Sequence, residues 1–87
     1  MPQKHFIYIL KTLDGRLYTG YTTDLERRLK MHKEGKGAKF TRAFGVKKLV
    51  YSEILKDKSS ALKREAEIKK MSKASKIKLI KVALSSK

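Results

Sequence analysis

The sequence contains no cysteine, which excludes disulfide bonds and metal sites built on thiolates. The absence of cysteine agrees with a protein that works in a reducing compartment. The sequence also lacks the CxxC and HExxH patterns that are typical of zinc proteins, so we expect no zinc site. The glycine-bounded segment GKGAK at 35–39 lacks the GxxxxGK[ST] spacing, and it does not predict a nucleotide-binding loop.

Long apolar runs are absent too. The apolar run that follows MPQKH is about five residues long, too short for a signal peptide or a membrane span. There is no internal repeat, and the one biased segment is the lysine-rich tail. With 87 residues, of which 40% are hydrophobic, the chain predicts one domain, residues 1–87, with a modest core in about 5–80. We expect a soluble cytoplasmic protein with no membrane partner.

Acidic residues are scarce. Eight Asp and Glu stand against 23 Lys and Arg, and the formal net charge is +15. Folding so basic a chain costs self-repulsion, which a polyanionic partner would relieve. Counterion release from phosphates would give salt-sensitive affinity, whereas anionic lipid usually requires an amphipathic helix with large apolar anchors. The charge therefore favours nucleic acid, either DNA or RNA, as the partner.

The N-terminal part of the chain predicts a β-hairpin. The segments at 5–12 and 16–22 are rich in β-branched and aromatic residues, and LDG separates them. A two-residue turn would place Tyr8 and Tyr18 on opposite faces of the sheet. A three-residue loop with its glycine in the left-handed conformation would place both phenols on one face and pair Tyr8 with Gly20. We favour the three-residue loop, and we expect Gly20 to leave an open space for a ligand across from Tyr8.

The remaining pattern alternates helices with one strand. Thr23 and Glu26 form a capping box for a helix that ends near residue 34. A glycine-bounded loop follows, with a short helical turn at about 38–43, and then a strand at 47–55. Asp57 and the serines after it predict the start of another helix, and a last helix runs from Ser72 to the C-terminus. The predicted order is β-β-α-(short α)-β-α-α.

Polar residues occur where helical periodicity predicts burial. Leu25 and Leu29 define the inward stripe of the first helix, and Arg28 and His32 lie at the edge of that stripe. Each of these residues alone has an ordinary structural interpretation, since an arginine at such an edge usually extends its charged group into solvent.

The helix after Asp57 places a carboxylate on its inward stripe. Ala61, Leu62 and Ile68 define the stripe, and Glu65 lies in its middle. A buried carboxylate is costly without a partner, so Glu65 requires either a salt bridge, for example to Lys69, or a metal ion.

Taken in order along the chain, these residues resemble the GIY-YIG endonuclease domain family. The resemblance consists of IY at 7–8, YTG at 18–20, Arg28 ten positions after Tyr18, and a glutamate in REAEIKK. It extends over about residues 5–80, and it is closest to the small stand-alone bacterial members, relatives of the catalytic domain of a eukaryotic structure-specific endonuclease. It implies an α+β fold in which helices flank a small three-stranded antiparallel sheet.

The resemblance also implies roles for individual residues. One departure is Phe6, which stands where the family name has glycine; a second is Phe40, where relatives tend to have tyrosine, and a third is Val46, where they usually have proline. The implied site residues are the motif tyrosines Tyr8 and Tyr18, the motif glycine Gly20, the phosphate-binding Arg28, His32, which a subset of the family shares, and the metal-ligating Glu65.

Phosphodiester hydrolysis requires neutralised charge, an activated water and help for the leaving oxygen. A single carboxylate, Glu65, suits Mg²⁺ or Mn²⁺, and the planar guanidinium of Arg28 suits a phosphate oxygen. Tyr8 is our candidate general base, with His32 orienting it or sharing its proton and Tyr18 as the positioning phenol. The assignment among these three stays open. A phenolate at Tyr8 requires nearby positive charge, because free tyrosine has a pKa near 10.

Three functions are compatible with these residues. The first is a divalent-metal-dependent DNA endonuclease, acting on structured or branched DNA in repair or recombination, with Lys36, Lys39 and Arg42 contacting the DNA backbone. The second is a non-catalytic nucleic-acid-binding protein that retains the fold. The third is a basic assembly factor that holds RNA or ribosome surfaces, which explains the charge but leaves Glu65 without a role. The preferred DNA structure and the oligomeric state stay open.

Overall fold

The computed structural model describes residues 3–85, and this part of the chain forms three strands and four helices. No helix in this range is both long enough and apolar enough to cross a membrane. The predicted order of elements and the α+β fold are confirmed. The elements are β1 (His5–Thr12), β2 (Leu17–Thr22), α1 (Leu25–Lys33), α2 (Lys39–Phe44), β3 (Val46–Leu55), α3 (Lys58–Lys70) and α4 (Lys73–Ser85).

The first two strands form the hairpin with the three-residue loop. Tyr8 pairs with Gly20 and Leu10 pairs with Tyr18, which is the register that we predicted. Gly15 has φ +88°, a left-handed conformation that glycine adopts without strain. The phenol rings of Tyr8 and Tyr18 lie on one face with their centroids 6.4 Å apart.

The sheet order is β2-β1-β3, with both neighbours antiparallel to β1. Because β1 is central, helices cover it on both faces, and the four consecutive residues 7–10 are all buried. Successive side chains of a strand point to opposite faces. Ile7 and Ile9 therefore lie on one face, which we call the apolar face, and Tyr8 and Leu10 lie on the other, which we call the tyrosine face.

The apolar face contains the hydrophobic core. Ile7 and Ile9 pack with Ala61 and Ile68 of α3, and Leu79 and Ile80 of α4 lie against this cluster. Full burial of one isoleucine contributes about 1.5–3 kcal/mol. The prediction that Leu62 is buried is wrong, since its side chain is 44% exposed. Ala61 and Ile68 are two turns apart on one line of the helix, and Leu62 is rotated about 100° from that line.

The tyrosine face is covered by α1 and α2. The predicted cap of α1 is wrong by one residue: Asp24, not Thr23, is the N-cap, and its carboxylate accepts a hydrogen bond from the Arg27 backbone N–H at 3.1 Å. By contrast, Asp57 caps α3 as we predicted. Within α1 the buried residue is His32, whereas the leucines of its predicted stripe are only partly buried. The helix therefore meets the sheet through an imidazole ring.

Candidate active site

The centre of the tyrosine face is a hydrogen bond between a phenol and an imidazole. The Tyr8 hydroxyl lies 2.8 Å from His32 Nε2, and both residues are buried, with 1% and 2% of their surfaces exposed. A Cβ atom at position 20 would collide with the Tyr8 phenol. The expectation that Gly20 leaves an open space for a ligand is therefore wrong, because the Tyr8 ring itself fills that space. The role of Gly20 is to admit this ring.

The second nitrogen of the His32 ring is also bound. Nδ1 lies 2.7 Å from the hydroxyl of Thr41 in α2, which in turn donates to the carbonyl oxygen of Ala38 at 3.2 Å. The sequence analysis did not identify Thr41. A threonine nine positions after a histidine has no distinctive pattern, and the contact exists only because α2 packs beside α1.

Tyr18 links this pair to a row of aromatic rings. Its ring centroid is 5.3 Å from that of His32 and 5.8 Å from that of Phe40. Phe40 is followed by Phe44, at a centroid distance of 5.0 Å, and the guanidinium of Arg16 lies 4.3 Å from the Phe44 centroid. Tyr18 is partly buried, so its phenol can meet a ligand while its ring stays fixed by these neighbours.

Burial keeps both members of the central pair neutral. Burial raises the pKa of Tyr8, the neighbouring Tyr18 and Glu65 raise it further, and Arg28 opposes them. Burial, followed by the positive charge of Arg28, lowers the pKa of His32 below its usual 6.5. The positive charge that a phenolate requires is present in Arg28, but in the protein alone burial outweighs it. Tyr8 is therefore a neutral phenol.

Arg28 and Glu65 supply the charges around the pair. Both are partly buried, and both act electrostatically on the Tyr8 phenol although they belong to α1 and α3. Within residues 3–85, the Arg28 guanidinium forms no ion pair or hydrogen bond with the protein. A partly buried guanidinium without a protein partner is suited to binding a phosphate oxygen.

Glu65 fits the requirements of a hard divalent cation. Its side chain is 18% exposed, and Lys69 Nζ lies 3.2 Å from Oε2. Lys69 is itself exposed, so this ion pair leaves the carboxylate accessible to solvent. No group of three metal-binding side chains occurs in residues 3–85. Mg²⁺ needs no such group, because it is commonly bound by one or two carboxylates and completes its shell with water and substrate phosphates.

The three cations that we assigned to the DNA backbone lie apart from this cluster. Lys36 belongs to the loop between α1 and α2, and Lys39 and Arg42 belong to α2. All three are exposed, and with Gly35 and Ala38 they line a shallow cavity of about 240 Å³. Their contact with DNA stays a prediction.

Comparison with known proteins decides the family. Residues 4–78 match the family model described as the GIY-YIG catalytic domain. The chain belongs to the GIY-YIG family. It is 53% identical over 77 residues to a UPF0213 protein of Staphylococcus saprophyticus, covering 88% of this chain and 94% of that protein. A UPF0213 protein of Staphylococcus haemolyticus is 49% identical over 77 residues, which again cover 88% of this chain and 94% of that protein. These names state no activity.

Two solved structures share the fold. The solution NMR structure of a UPF0213 protein from Bacillus halodurans has a TM-score of 0.60 and 44% identity, and it covers 91% of this chain and 84% of that one. The solution NMR structure of an E. faecalis protein has a TM-score of 0.64 and 39% identity, and the match covers 92% of this chain and 85% of that one. GIY-YIG domains form a nuclease family, generally dependent on a divalent metal, so membership implies a nucleic-acid substrate.

Proposed function

We propose that this protein is an endonuclease that hydrolyses DNA phosphodiester bonds with Mg²⁺ or Mn²⁺. The observation that supports the proposal is the buried Tyr8–His32 hydrogen bond, 2.8 Å long, with Tyr18 against the same imidazole and the charges of Arg28 and Glu65 acting on the phenol. A surface that only binds DNA needs positive charge, and it has no use for a buried pair of groups that can exchange a proton.

In this proposal Arg28 binds a nonbridging oxygen of the scissile phosphate, where its positive charge stabilises the pentavalent state. The attacking water forms the new P–O bond, and the bond to the leaving oxygen breaks. The water proton passes to Tyr8 as the Tyr8 proton passes to His32 Nε2. Tyr18 positions the water and the phosphate by hydrogen bonding.

The high pKa of Tyr8 is compatible with this role, because the phenol does not have to ionise before the reaction. A concerted transfer through Tyr8 leaves it neutral and places the charge on His32. Glu65 would hold the metal ion through its carboxylate, and the ion would supply the positive charge that the leaving oxygen requires. Lys36, Lys39 and Arg42 would hold phosphates away from the cut. We place this activity in DNA repair or recombination.

Cleavage assays across a set of nucleic acids test the proposal. Linear duplex, branched duplex, single-stranded DNA and RNA are each incubated with the protein and with Mg²⁺, Mn²⁺ or a chelator. Arg27→Ala is the matched control for Arg28→Ala, since it removes the same charge from an exposed position of the same helix. We expect metal-dependent cleavage of DNA, a loss of about 10²- to 10³-fold in Arg28→Ala, and near-normal cleavage in Arg27→Ala.

Other outcomes would reject the proposal. Equal cutting by wild type and Arg28→Ala would mean that the cluster on the tyrosine face is not the catalytic site. No cutting with any metal, together with salt-sensitive binding that Glu65→Ala leaves unchanged, would identify a non-catalytic binding protein. Cleavage of RNA but not of DNA would show that the substrate is RNA, and would reject the proposed DNA substrate.

A further inference from the structure

The His32 ring is held at both nitrogens, and the available protons determine the direction of each hydrogen bond. Tyr8 and Thr41 each carry one hydroxyl proton, and neutral imidazole carries one N–H proton, on either Nδ1 or Nε2. The three protons have three acceptor positions in a line: His32 Nε2, the Thr41 hydroxyl oxygen and the carbonyl oxygen of Ala38.

Only one direction of donation along this chain of hydrogen bonds gives every proton an acceptor. Tyr8 donates to Nε2, Nδ1–H donates to Thr41, and Thr41 donates to Ala38. In the opposite direction Thr41 donates to Nδ1 and Nε2–H donates to Tyr8. The Tyr8 proton then has no acceptor in the described part of the chain. An unplaced donor on a 1% exposed residue is costly, so the first direction is favoured.

The surroundings of Thr41 keep this arrangement fixed. Thr41 is 1% exposed, so water does not compete for its hydroxyl. A Cβ atom on Gly37 would collide with the His32 ring, which shows how closely the loop before α2 approaches the imidazole. The loop before α2 therefore packs directly on the Nδ1 side of the imidazole, where Thr41 also lies.

We propose that Thr41 is a positioning residue that holds His32 as the Nδ1–H tautomer, so that Nε2 is free to accept the Tyr8 proton. Its catalytic consequence rests on the proposed nuclease function, whereas the tautomer itself does not. The wrong tautomer would offer Tyr8 a donor in place of an acceptor, and transfer through the phenol would stop.

The tautomer can be measured on the wild-type protein. Long-range ¹H–¹⁵N correlation spectra at neutral pH distinguish protonated from unprotonated ring nitrogens. The chain has two histidines, and a His5→Gln variant assigns the signals of His32. We expect protonated Nδ1 and unprotonated Nε2. Protonated Nε2 would overturn the inference, even if the protein cleaves DNA. Protonated Nδ1 in a protein that cleaves nothing would support the inference and reject the nuclease proposal.

Two variants separate positioning from packing. Thr41→Val keeps the shape and removes the hydroxyl, and Thr41→Ser keeps the hydroxyl. We expect Thr41→Val to populate the Nε2–H tautomer and to lose about 10- to 100-fold in kcat with little change in KM, and Thr41→Ser to restore both. Loss of activity in Thr41→Val with an unchanged tautomer and a reduced folded fraction would show a structural role only, and would overturn the catalytic part.

A second, independent observation concerns two adjoining cavities beyond the aromatic row. The first, about 480 Å³, is lined by Arg16, Phe40, Lys73 and Lys76 together with Asp14 and Leu17. The second, about 420 Å³, shares Leu17 and Lys73 with the first; Lys11 and Lys81 line it as well, around an apolar floor of Val50, Ile77 and Ile80. Asp14, which pairs with Arg16 at 2.8 Å, is the one acid among the residues that line the cavities, against five cations, so the lining has a formal net charge of +4.

The location of these cavities matters. Phe40 lines the first cavity and stacks on Tyr18 at 5.8 Å, so the cavity begins one side chain away from the candidate active site. We infer that the two cavities bind the phosphodiester backbone of the nucleic acid as it leaves the cut site, an inference that rests on the proposed function. The lysines of α4 supply charges for its phosphates, and the lysine-rich last helix thereby gains a role.

The test compares two double variants that remove equal charge. Lys73→Ala with Lys76→Ala removes two cations from the cavities, and Lys70→Ala with Lys78→Ala removes two exposed cations that line neither. DNA affinity is measured in a chelator, without cleavage, at several salt concentrations. We expect at least tenfold weaker binding and a salt dependence reduced by about two in the cavity variant. Equal weakening in both variants would show non-specific attraction and overturn the inference.

Discussion

Alternate residues of the central strand β1 lie on the two faces of the sheet, and the two faces differ in the kind of side chain that they bury. Ile7 and Ile9 of β1 face α3 and pack in a buried hydrophobic cluster with Ala61 and Ile68. Tyr8, between them in the sequence, faces α1 and meets a histidine that is itself hydrogen-bonded to Thr41. Apolar burial stabilises the fold on one face. Directed hydrogen bonds fix a few groups in position on the other, and such groups are what catalysis uses.

The charged groups of the two faces differ in the same way. On the apolar face Tyr51 donates to Glu53 at 2.6 Å, and Arg64 contacts the same carboxylate at 3.2 Å. These groups satisfy one another, and the network is structural. Around the Tyr8–His32 pair, the Arg28 guanidinium has no protein partner within residues 3–85, and Glu65, which α3 contributes, is paired with the exposed Lys69. The Arg28 guanidinium, which lacks a protein counter-ion in this part of the chain, is available to bind an anion beside the Tyr8–His32 hydrogen bond.

Tyr8→Phe should have the largest effect on activity, with a smaller loss of stability because His32 loses a buried hydrogen-bond partner. The variant keeps the ring that fills the space at Gly20 and removes the hydroxyl that shares a proton with His32. We expect a fall of about 10²- to 10⁴-fold in the cleavage rate. DNA affinity should be unchanged, because the buried hydroxyl contacts His32. Parallel measurements of single-turnover cleavage and binding check this. A variant that cleaves normally would remove Tyr8 from the mechanism.

Ile68→Ala should have the opposite profile. It opens a cavity on the apolar face, and we expect the free energy of unfolding to fall by about 2–5 kcal/mol. At a temperature where the variant is still folded, its cleavage rate should stay close to wild type. Urea denaturation and cleavage assays on the same sample make the comparison. A large loss of activity in the folded variant would mean that the two faces are not separable.

Gly20→Ala should lower both the stability and the cleavage activity of the protein by a moderate amount. The added methyl displaces the Tyr8 phenol, and overpacking of this kind costs about 1–3 kcal/mol while breaking the contact with His32. Gly15→Ala is the control, because it strains a left-handed residue in the hairpin loop where an added Cβ atom meets nothing within 4 Å, the Tyr8 phenol included. Both variants should be less stable, and only Gly20→Ala should lose cleavage activity beyond its loss of folded protein.

The pH dependence of stability should show the smallest effect. The pKa of His32 is lower in the folded protein than its ordinary value of 6.5, so folding disfavours protonation there. The stability that neutral His32 contributes is present above pH 6.5 and is lost as the pH falls below it. Urea denaturation between pH 7.5 and 5.5 should show this decline, and His32→Gln should reduce it. Asp57→Asn should leave it unchanged, because the lowered pKa of Asp57 places its titration below 3.8.

The sequence predicted the hairpin well because two local rules agreed. Side chains alternate along a strand, and the loop LDG has a glycine where a three-residue turn requires a left-handed residue. Local rules also failed at particular residues. Thr23 and Asp24 are both good capping residues, and only the path of the chain into α1 selects Asp24. Leu62 is apolar enough for the core, but its side chain is rotated about 100° around α3 from the line of Ala61 and Ile68, and only that line is fully buried.

The candidate site divides along the same line. Tyr8, Tyr18, Arg28, His32 and Glu65 could be named from their order in the chain, and the structure places the first, second and fourth in contact and the charges of the other two within reach of Tyr8. The neutral state of Tyr8 could not be predicted, because a pKa depends on burial by residues from other elements. The same holds for Thr41, whose role exists only through the packing of α2 on α1.

The sequence by itself determined the types and order of the elements, the face on which the tyrosines lie and the positive charge that calls for a polyanion. These properties follow from periodicity, turn geometry and composition, which act over a few residues or over the whole chain. Only the tertiary structure decided that the Tyr8 ring fills the space at Gly20 and that His32 is held at both nitrogens. Hydrogen bonds and steric contacts act over a few ångströms, between residues that only the folded chain brings together.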